Sequence, residues 1–576
     1  MRLSTEPEAE RDGALAAETI AAALQAGITV FDTAHAYGRD GSELGHNERL
    51  LAAALGASAA GRAAVRPRIV TKGGMTRPAG AWVPDGRAKR ILADCEASLI
   101  ALGGLSIDLY LIHAPDPRTP WPTTVRALAR LLDAGLVSRV GLSNVSRHQL
   151  DAALELVPVA AVEVALSVYD DRAMRGGIVE RCEELGIALI AHSPLGGPRR
   201  AGTLARRAAL AEAAASCGAT PAEAALVWLL ALSPVIVPIP GARQPTTVRS
   251  AARAASLALD PDVTAILARA MDPGRPRRGA GPARAPSRAS SGAEVVLIMG
   301  IPGAGKTRLA RDYLTRGYVR LNRDERGGAL RELATELGHE LETSARRVVL
   351  DNTYLTRAAR SYVIETTARH GVPARCVWLR TPLAQAQVNM VERLLELGAG
   401  ALPTPVQLRS LARREPGALA PTQQMRALRE LEPPSLDEGF SAVEAIPFAR
   451  APNRARSGTG VFLAASALAR DDWRDALTTP ADPHLVFDWR PDAPPNVLAP
   501  AAERLRAAVS GPVEIAVCPH GAGPPRCWCR PPLPGLPLAF ARVHDLDPAR
   551  CVLLGTSSAH RTLAAALGAR YVLISP

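Results

Sequence analysis

The sequence predicts an α/β protein of several domains: an N-terminal (β/α)₈ barrel, a P-loop nucleotide-binding domain and a further α/β domain. Three observations support this prediction. The chain has 576 residues, too many for one hydrophobic core. Seven apolar runs alternate with helical stretches over the first half, the pattern of a parallel sheet. An apolar run at residues 295–299 then leads into a glycine-rich loop that ends in Lys306 and Thr307.

The seven apolar runs predict seven strands of the barrel. They lie at residues 28–34, 68–74, 108–115, 137–144, 160–167, 187–195 and 235–241. A helix predicted at about residues 14–25 should follow the first strand, yet only residues 1–5 are available for that strand. The first strand of an eight-stranded barrel is therefore expected to be truncated. Either the start of the chain is misassigned or the barrel is unclosed, with an unpaired edge.

Polar side chains follow the predicted strands at the ends where a barrel of this kind carries its chemistry. Asp32 and Tyr37 follow the first run, Lys72 the second and His113 the third. Ser143 and Asn144 follow the fourth. We expect these side chains to converge on one site.

Residues 1–270 resemble the aldo/keto reductases. The matching segments are FDTAHAYG with SELGHNERLL, IVTKGG, DLYLIHAPDP, GLSNVS and PIPGARQP. The resemblance implies reduction of a small aldehyde or ketone with NADP(H) or NAD(H), and no metal. Tyr37 is then the general acid, because a phenol beside a cation can protonate a developing alkoxide. Lys72 supplies the cation, Asp32 holds it in place, and His113 orients the carbonyl oxygen.

The same resemblance places the cofactor. It implies that Ser143 and Asn144 hold the nicotinamide carboxamide, and that Arg243, which follows Gly241, lies near the cofactor phosphates. Glu163 stands where the family usually has glutamine, which removes donors but keeps an acceptor. The alternative is a barrel that keeps the fold without activity.

A tether separates the barrel, residues 1–272, from the rest. Residues 273–292 are rich in proline, glycine, serine and arginine, which predicts a disordered linker. The arginines could contact phosphate backbones, although a solvated tether is the favoured interpretation.

The phosphate loop, residues 300–307, opens the second domain and reads GIPGAGKT. Its glycines, Gly300, Gly303 and Gly305, let backbone N–H groups converge on phosphate oxygens. Lys306 reaches the terminal phosphates of ATP, and the Thr307 hydroxyl ligates Mg²⁺.

Residues 293–450 resemble the kinase half of phage-type polynucleotide kinase/phosphatases. The matches are GIPGAGKT, LNRDERGG, LDNTYLTR, and VNMVER followed by LPTP. Asp324 suits the base that accepts the acceptor's proton, and Arg393 suits a lid arginine over the migrating phosphoryl group. The resemblance implies phosphorylation of RNA or DNA 5′-hydroxyl ends. Gly327 stands where an arginine is expected, so a small-molecule acceptor stays open.

Residues 451–576 resemble a degenerate phosphatase domain of the haloacid dehalogenase (HAD) type. Ala464 and Ser466 replace the nucleophile-strand aspartates, and Thr556 and His560 stand at the Mg²⁺-carboxylate positions. Pro531 and Leu533 occupy the region of the expected catalytic lysine. Without those groups, transfer through an aspartyl intermediate is excluded, and we predict an inactive domain.

Three thiols and an imidazole lie within twelve residues of this domain, namely Cys518, His520, Cys527 and Cys529. This set suits a tetrahedral structural Zn²⁺ and resembles the zinc loop of the heptose-bisphosphate and histidinol phosphatases. Leftover free cysteines are the alternative.

The composition of the chain indicates where the protein is located and which kinds of partner it can contact. The formal net charge of +12 lies wholly outside residues 1–272, so any nucleic-acid contact is expected in the C-terminal half. The eight cysteines are mostly scattered, no apolar run approaches a membrane span, and the first residues are no signal peptide. We expect a cytoplasmic protein with no membrane partner; the oligomeric state is open.

Only three lysines occur, and two of them, Lys72 and Lys306, fall on predicted active-site positions.

The sequence supports two alternative hypotheses of function, which belong to different classes. The first is a fusion enzyme that reduces carbonyls and phosphorylates a hydroxyl, here a polynucleotide 5′-OH. The second is an NAD(P)H-sensing or nucleic-acid-binding scaffold with small-molecule kinase activity and no reductase turnover. The second hypothesis is motivated by the truncated first strand, by Glu163 and by the aspartates that are missing from the phosphatase-like region.

Overall fold

The structure is a computed structural model, and it describes residues 2–59, 66–257, 267, 292–343, 347–450, 456–470 and 472–575. Internal contacts divide the chain into two compact units, Met1–Gly279 and Ala280–Pro576. The predicted linker at residues 273–292 lies outside the described residues, apart from Gly292.

A parallel sheet of seven strands forms the centre of the first unit. In chain order the strands are β1 Val30–Asp32, β2 Arg68–Gly73, β3 Met75–Thr76, β4 Val83–Pro84, β5 Ile107–Ile112, β6 Val140–Ser143, β7 Val159–Ala165, β8 Ala188–His192 and β9 Ile236–Ile239. The sheet order is β1-β2-β5-β6-β7-β8-β9, while β3 and β4 form a separate antiparallel pair. Each of the seven predicted runs overlaps one strand of this sheet.

Helices follow the strands, as alternating α/β segments predict. The α-helices are Arg2–Thr5, Gly13–Gln25, His46–Ala59, Ala88–Ala101, Trp121–Asp133, Arg147–Leu154, Arg172–Arg175, Ile178–Leu185, Ala208–Ser216, Pro221–Leu232 and Pro245–Ala254, with 3₁₀ turns at Glu8–Glu10, Gly41–Glu43, Pro78–Gly80 and Ala201–Arg206. In Trp121–Asp133, the side chains of Val125, Leu128 and Leu131 recur every three positions and are buried. Such apolar faces and the strand side chains build the core of the unit.

The seven-stranded sheet curls like a barrel. Lys72 on β2 lies 3.0 Å from Glu163 on β7, although β5 and β6 stand between these strands in the sheet order. Asp32 on β1 contacts the same Lys72 ammonium, and a flat sheet would separate β1 and β7 by about 19 Å, four strand spacings. The side chains of Asp32 and Glu163 are too short to meet one ammonium across that distance, so the contacts require the curvature that the (β/α)₈ prediction implies.

The sheet has two free edges. No strand among the described residues pairs with the outer side of β1 or of β9, so the predicted gap in the barrel is present. Val30 and Val237, one on each edge strand, are 41% and 44% exposed.

The second unit contains two five-stranded parallel sheets. Their strands are β10 Glu294–Met299, β11 Val319–Leu321, β12 Arg347–Asp351, β13 Ala374–Arg380, β14 Ala442–Pro447, β15 Val461–Ala464, β16 His484–Trp489, β17 Val513–Cys518, β18 Val552–Gly555 and β19 Arg570–Leu573. The first sheet has the order β11-β12-β10-β13-β14, and the second β17-β16-β15-β18-β19. Each places its first strand at the centre, the doubly wound arrangement that gathers loops at the carboxyl edge.

Helices cover both sheets of the second unit. They are Lys306–Leu314, Arg323–Arg326, Leu330–Thr343, Arg357–Arg369, Leu383–Leu397, Pro405–Arg414, Pro421–Glu430, Ala499–Arg506, Gly535–Val543 and Ser558–Leu567, with 3₁₀ turns at Leu436–Glu438 and Pro548–Arg550. Over the described parts of the chain, no single helix is both long and apolar enough to cross a membrane. The helices Ala208–Ser216 and Pro221–Leu232 of the first unit, bent by 91°, reach that length and composition only as a pair.

Candidate active sites

A cavity of about 850 Å³ opens at the carboxyl ends of the strands in the first unit. Polar side chains from several different strands and their following loops line it, among them Asp32, Tyr37, His113, Asn144, Glu163 and His192. The sequence predicts five of these six residues as site residues, and the structure brings them together. The cavity also extends along the apolar residues of the two edge strands, including Val30 and Ile236.

Lys72 is the charged centre of this site. Its side chain is fully buried, and Nζ lies 2.5 Å from Asp32 Oδ1 and 3.0 Å from Glu163 Oε2. Nζ also donates to the Thr33 carbonyl oxygen at 3.0 Å. One ammonium is therefore held between two carboxylates, where the sequence predicts only the Asp32 contact.

Burial and charge oppose each other at this centre. Burial disfavours the ammonium of Lys72, but the Asp32 carboxylate, joined by Glu163 when Glu163 is ionised, outweighs the burial and raises the lysine pKa above its ordinary value. Burial, followed by the Asp32 carboxylate, raises the pKa of Glu163 to about 8, although Lys72 lowers it. Glu163 is therefore protonated near neutral pH to a much greater extent than an ordinary glutamate, and its protonated form offers an O–H donor as well as an acceptor.

Tyr37 lies beside the lysine. Lys72 Nζ is 5.4 Å from the centroid of the phenol ring, and the ring meets the His113 imidazole edge-on at 5.6 Å. Burial raises the pKa of Tyr37 above its ordinary value; Lys72 lowers it, as the sequence predicts, but by less. The phenol consequently keeps its proton at neutral pH and has one to donate.

His113 is neutral. Burial, with the charge of Lys72, lowers its pKa to about 3. Nδ1 is buried and has no hydrogen-bond partner among the described residues. A neutral imidazole in this position can orient a carbonyl oxygen through its N–H, but it lacks the imidazolium proton that would make it an effective general acid.

Asn144 is positioned by its backbone and its neighbours. It adopts a left-handed conformation with φ 57° directly after β6. Its Nδ2 donates to the His113 carbonyl oxygen at 2.9 Å and to Ser143 Oγ at 3.0 Å. The predicted carboxamide pair is therefore tied to the loop that carries His113.

Two aromatic residues of this site are absent from the sequence prediction. His192 ends β8, and its Nε2 lies 3.2 Å from Asn144 Oδ1. Trp82 lines the cavity and stacks under the Arg77 guanidinium at 3.7 Å. The strand run at residues 187–195 locates His192 at a strand end, the one signal that could have identified it, whereas Trp82 lies on a loop without any motif.

Gly241 and Arg243, the predicted phosphate-side residues, also line the cavity. They follow β9, the edge strand next to the gap. An arginine here can neutralise an anionic group that enters along the cavity.

The phosphate loop joins β10 to the helix Lys306–Leu314 in the second unit. Gly300, Gly303 and Gly305 all have positive φ, at 156°, 85° and 97°. At Gly303 a Cβ atom would collide with the Ala386 carbonyl oxygen. This glycine is therefore required by both its conformation and its close neighbour.

Lys306 is held by the loop itself. Its Nζ donates to the carbonyl oxygens of Gly300 at 2.9 Å and Ile301 at 3.0 Å. Burial lowers the lysine pKa to about 8, while the carboxylates of Asp351 and Asp324 raise it. Both aspartates thus act electrostatically on Lys306, as expected of one shared site.

The two aspartates differ in what holds them. Asp351, at the end of β12, is buried and receives a bidentate pair from Arg320 at 2.9 and 2.8 Å. Asp324 is exposed on the short helix Arg323–Arg326, whose first turn is capped by the Asn322 side chain. Asp351 therefore positions neighbouring groups, and Asp324 is the carboxylate that an acceptor can reach.

The other predicted kinase residues are exposed. Thr307 is exposed in the first turn of its helix, where a metal ion can reach the hydroxyl. Arg393 is 49% exposed, and its Nη2 lies 4.0 Å from Glu415 Oε2. A role over a transferring phosphoryl group requires Arg393 to leave this weak pair.

The carboxyl edge of the last sheet brings together residues that the sequence resemblance compares with phosphatase positions. Ser466 Oγ and Thr556 Oγ1 lie 2.7 Å apart, and the Thr556 amide donates to His560 Nδ1 at 3.1 Å. Ala464 and Leu533 are buried. These hydroxyls and this imidazole cannot replace an aspartate nucleophile or its Mg²⁺ carboxylates.

The four residues Cys518, His520, Cys527 and Cys529 form a compact cluster, the Cys/His cluster. Their ligand atoms all lie within 4.8 Å of one another. Cys518 Sγ is 3.7 Å from Cys527 Sγ and 3.5 Å from His520 Nδ1, which is 3.3 Å from Cys529 Sγ. Tetrahedral zinc with ordinary bond lengths would place its ligand atoms about 3.6–3.8 Å apart. The donor set and spacing therefore fit Zn²⁺.

Comparison with protein-family models assigns the two larger segments. Residues 1–272 match the model described as the aldo/keto reductase family, and residues 295–416 match a model described as an AAA domain. Residues 1–272 are therefore similar to the aldo/keto reductases and have a barrel-like fold, and residues 295–416 are similar to P-loop domains of the AAA type. These matches support the predicted reductase-like and P-loop segments; the polynucleotide-kinase and HAD-type resemblances stay predictions.

Individual proteins are similar to part of this chain. A Schizosaccharomyces pombe protein described as an uncharacterized oxidoreductase is 31% identical over 201 residues, 34% of this chain and 64% of that protein. A solved thermostable aldo-keto reductase in complex with the inhibitor epalrestat is 29% identical, covering 46% of this chain and 90% of its own, with a TM-score of 0.39. The glycerol dehydrogenase of Gluconobacter oxydans is 26% identical, covering 46% and 87%, with a TM-score of 0.38. This chain thus spans 64% of the length of the curated relative it matches.

Proposed function

We propose that residues 1–272 reduce small aldehydes or ketones with NADP(H) or NAD(H), and that residues 293–450 transfer a phosphoryl group from Mg-ATP to a hydroxyl. The observation that carries the first part is the buried ammonium of Lys72, held between Asp32 and Glu163 and 5.4 Å from the Tyr37 ring. A buried cation beside a protonated phenol is the arrangement that carbonyl protonation needs.

The side chains of the first site have different roles in the proton transfer that accompanies carbonyl reduction. The nicotinamide cofactor, when bound, supplies the hydride. His113 orients the carbonyl oxygen toward Tyr37, which donates its proton as negative charge develops on that oxygen. Lys72 stabilises the phenolate that remains, because its charge is fixed by Asp32. Since an alkoxide is a stronger base than a phenolate, the raised pKa of Tyr37 does not prevent the transfer.

The chain's own residues fit the cofactor. Besides its ion pair with Lys72, Glu163 Oε2 makes no hydrogen bond to any described group, and it is buried. We propose that Glu163, together with Ser143 and Asn144, holds the carboxamide. We further propose that Gly241 and Arg243 receive the cofactor phosphates.

The reductase proposal is tested by following oxidation of NADPH and NADH by the full chain over a panel of aldehydes and ketones. Turnover with at least one carbonyl is expected. Cofactor binding without turnover on any carbonyl would favour the sensor alternative, whose supporting observation is Glu163 in place of an amide.

In the P-loop domain we propose that Asp324 accepts the proton of the acceptor hydroxyl. Mg-ATP, when bound, supplies the phosphoryl group. Lys306 and the loop amides hold the terminal phosphates, and Arg393 stabilises the charge in transfer. The exposure of Asp324 supports this role because an incoming hydroxyl can reach it.

We propose a polynucleotide 5′-hydroxyl as the acceptor, on the strength of the motif resemblance. The exposed Arg323 beside Asp324 offers a cation for a backbone phosphate. Labelled ATP, offered with 5′-hydroxyl RNA and DNA oligonucleotides beside a pool of small alcohols, tests this. Transfer to the oligonucleotides is expected; transfer to the alcohols alone would replace the polynucleotide with a small-molecule acceptor.

For residues 451–576 we propose an inactive HAD-like domain that binds zinc at the Cys/His cluster. The absence of carboxylates at Ala464, Ser466, Thr556 and His560 supports inactivity. The matched distances of the cluster support zinc.

Glu163 should make cofactor binding depend on pH. Below about pH 8 its carboxyl is neutral and can donate to the carboxamide, whereas deprotonation above that pH removes the donor next to Asp32 and Lys72. Cofactor affinity should therefore fall about three- to tenfold toward pH 9, which corresponds to the free energy that one hydrogen bond contributes to binding. Glu163→Gln should keep its affinity at high pH. Quenching of tryptophan fluorescence by the cofactor measures this, and an identical decline in both proteins would contradict it.

A further inference from the structure

The phosphate loop is held from outside by two side chains that lie far along the chain. Asn389 Nδ2 donates to the Gly303 carbonyl oxygen at 2.8 Å, and Gln424 Nε2 donates to the Pro302 carbonyl oxygen at 2.7 Å. Bonds that fix loop carbonyls outward favour the conformation in which loop amides converge on an anion. Asn389 and Gln424 are therefore well placed to shape the nucleotide site.

These two side chains lie on two helices that contact each other, and the first of these helices shares a core with the last sheet. Asn389 belongs to Leu383–Leu397 and Gln424 to Pro421–Glu430. The buried apolar residues of the first helix share one core with residues of the last sheet and its helices: Met390, Val391, Leu394, Leu395, Phe462, Leu538, Phe540, Leu563 and Leu567. The support of the phosphate loop thus continues into the domain that has lost its phosphatase groups.

Trp528 lies in that shared core and forms a hydrogen bond to the segment that precedes the helix Pro421–Glu430. It is 1% exposed, and its Nε1–H donates to the Leu419 carbonyl oxygen at 2.9 Å. Leu419 lies two residues before the helix Pro421–Glu430 that carries Gln424. The indole therefore fixes the start of the segment that holds Pro302.

The residues on either side of Trp528 belong to the Cys/His cluster. Cys527 and Cys529 flank it, and their sulfur atoms converge with Cys518 and His520 within 4.8 Å. A metal ion bound by both flanking thiolates would fix the backbone of Trp528 at two points.

We propose that a zinc ion at the Cys/His cluster and the Trp528 indole together position the phosphate loop for nucleotide binding. Trp528 is a positioning residue: it acts through Leu419, Gln424 and Pro302, not by touching the nucleotide. This inference rests on the proposed nucleotide binding by the P-loop domain. It also gives the last domain a function that does not require the lost carboxylates.

The test uses the purified full chain and measures zinc content, affinity for a fluorescent ATP analogue and carbonyl reduction. The untreated protein should contain about one equivalent of zinc, the content of a four-ligand structural site. Removal of zinc by a chelator should weaken nucleotide binding about tenfold or more and leave reduction in the first unit unchanged. Unchanged nucleotide affinity after proven loss of zinc, or an untreated protein without zinc, would overturn the proposal.

Trp528→Phe separates positioning from metal binding. It keeps the four ligands and an aromatic ring but removes the donor to Leu419, so zinc content should stay constant while nucleotide affinity falls about three- to tenfold. Hydrogen exchange of the phosphate-loop amides should rise, which local packing damage elsewhere would not cause. Trp473→Phe is the matched control, because Trp473 is 4% exposed in a different core of the same domain. Equal affinity in Trp528→Phe and the parent would contradict the role of the indole.

The same measurements separate this inference from the proposed function. A protein that contains zinc but binds no nucleotide in its untreated state would overturn both. A protein that binds nucleotide equally with and without zinc would overturn only the positioning role.

Discussion

Replacing Lys306 by alanine is expected to abolish phosphoryl transfer while carbonyl reduction continues at the parental rate. The ammonium is the cation of the phosphate loop, anchored by the carbonyl oxygens of Gly300 and Ile301. Alanine removes the charge that meets the terminal phosphates, and losses of about 10²–10³-fold follow the removal of one such group. Labelled-phosphate transfer and carbonyl-dependent NADPH oxidation, measured on the same preparation, report the two activities.

Lys89→Ala is the matched control for this substitution. Lys89 is exposed, lies in the first unit and is the one lysine outside both proposed sites. It should leave both activities intact. Loss of reduction together with phosphoryl transfer in a folded Lys306→Ala protein would contradict two independent sites.

Replacing Tyr37 by phenylalanine should lower the rate of carbonyl reduction by about 10²–10⁴-fold, the usual contribution of a general acid. The phenol is buried beside Lys72, and His113, whose pKa lies near 3, is a neutral imidazole whose remaining N–H is a far weaker acid than an imidazolium. Cofactor affinity should stay unchanged because the hydroxyl acts on the substrate oxygen. Single-turnover reduction and cofactor titration together measure the two effects.

Tyr169→Phe provides the control for Tyr37→Phe within the same domain. The Tyr169 hydroxyl bonds to Thr203 Oγ1 at 2.8 Å and lies outside the cavity lining. Its removal should leave the chemical step unchanged. A Tyr37→Phe protein that still reduces carbonyls at the parental rate would assign the proton to another donor and contradict the proposed mechanism.

Local patterns predict most of the framework of the first domain. Each apolar run overlaps a strand because strands buried on both faces leave continuous apolar segments. Strand ends then place Asp32, Lys72 and His113 at one edge.

Contacts between distant elements are what the sequence does not reveal. The pairing of Lys72 with Glu163 depends on the curvature that brings β2 and β7 together, which no local pattern encodes. The sequence consequently predicts a lost donor at Glu163, whereas burial in the structure raises the pKa of this carboxyl group and so favours a protonated form that can donate. His192 is missed because a single histidine at a strand end has no motif around it.

In the second unit the same limit applies to the phosphate loop. Its own residues are evident from GIPGAGKT, but Asn389 and Gln424 lie 86 and 122 positions from the carbonyl groups that they bind. Likewise, the sequence predicts Arg393 as a lid arginine, whereas in the structure it forms a weak ion pair with Glu415. Only the packed helices show which side chains support the loop.

The central claim is that one chain carries a carbonyl-reducing site and a phosphoryl-transfer site that work independently. The most direct measurement assays the parent, Tyr37→Phe and Lys306→Ala proteins side by side for carbonyl-dependent NADPH oxidation and for labelled-phosphate transfer. The account predicts both activities in the parent and loss of only one in each variant, reduction in the first and transfer in the second. A parent protein that lacks either activity on every substrate offered, or a folded variant that loses both, would contradict it.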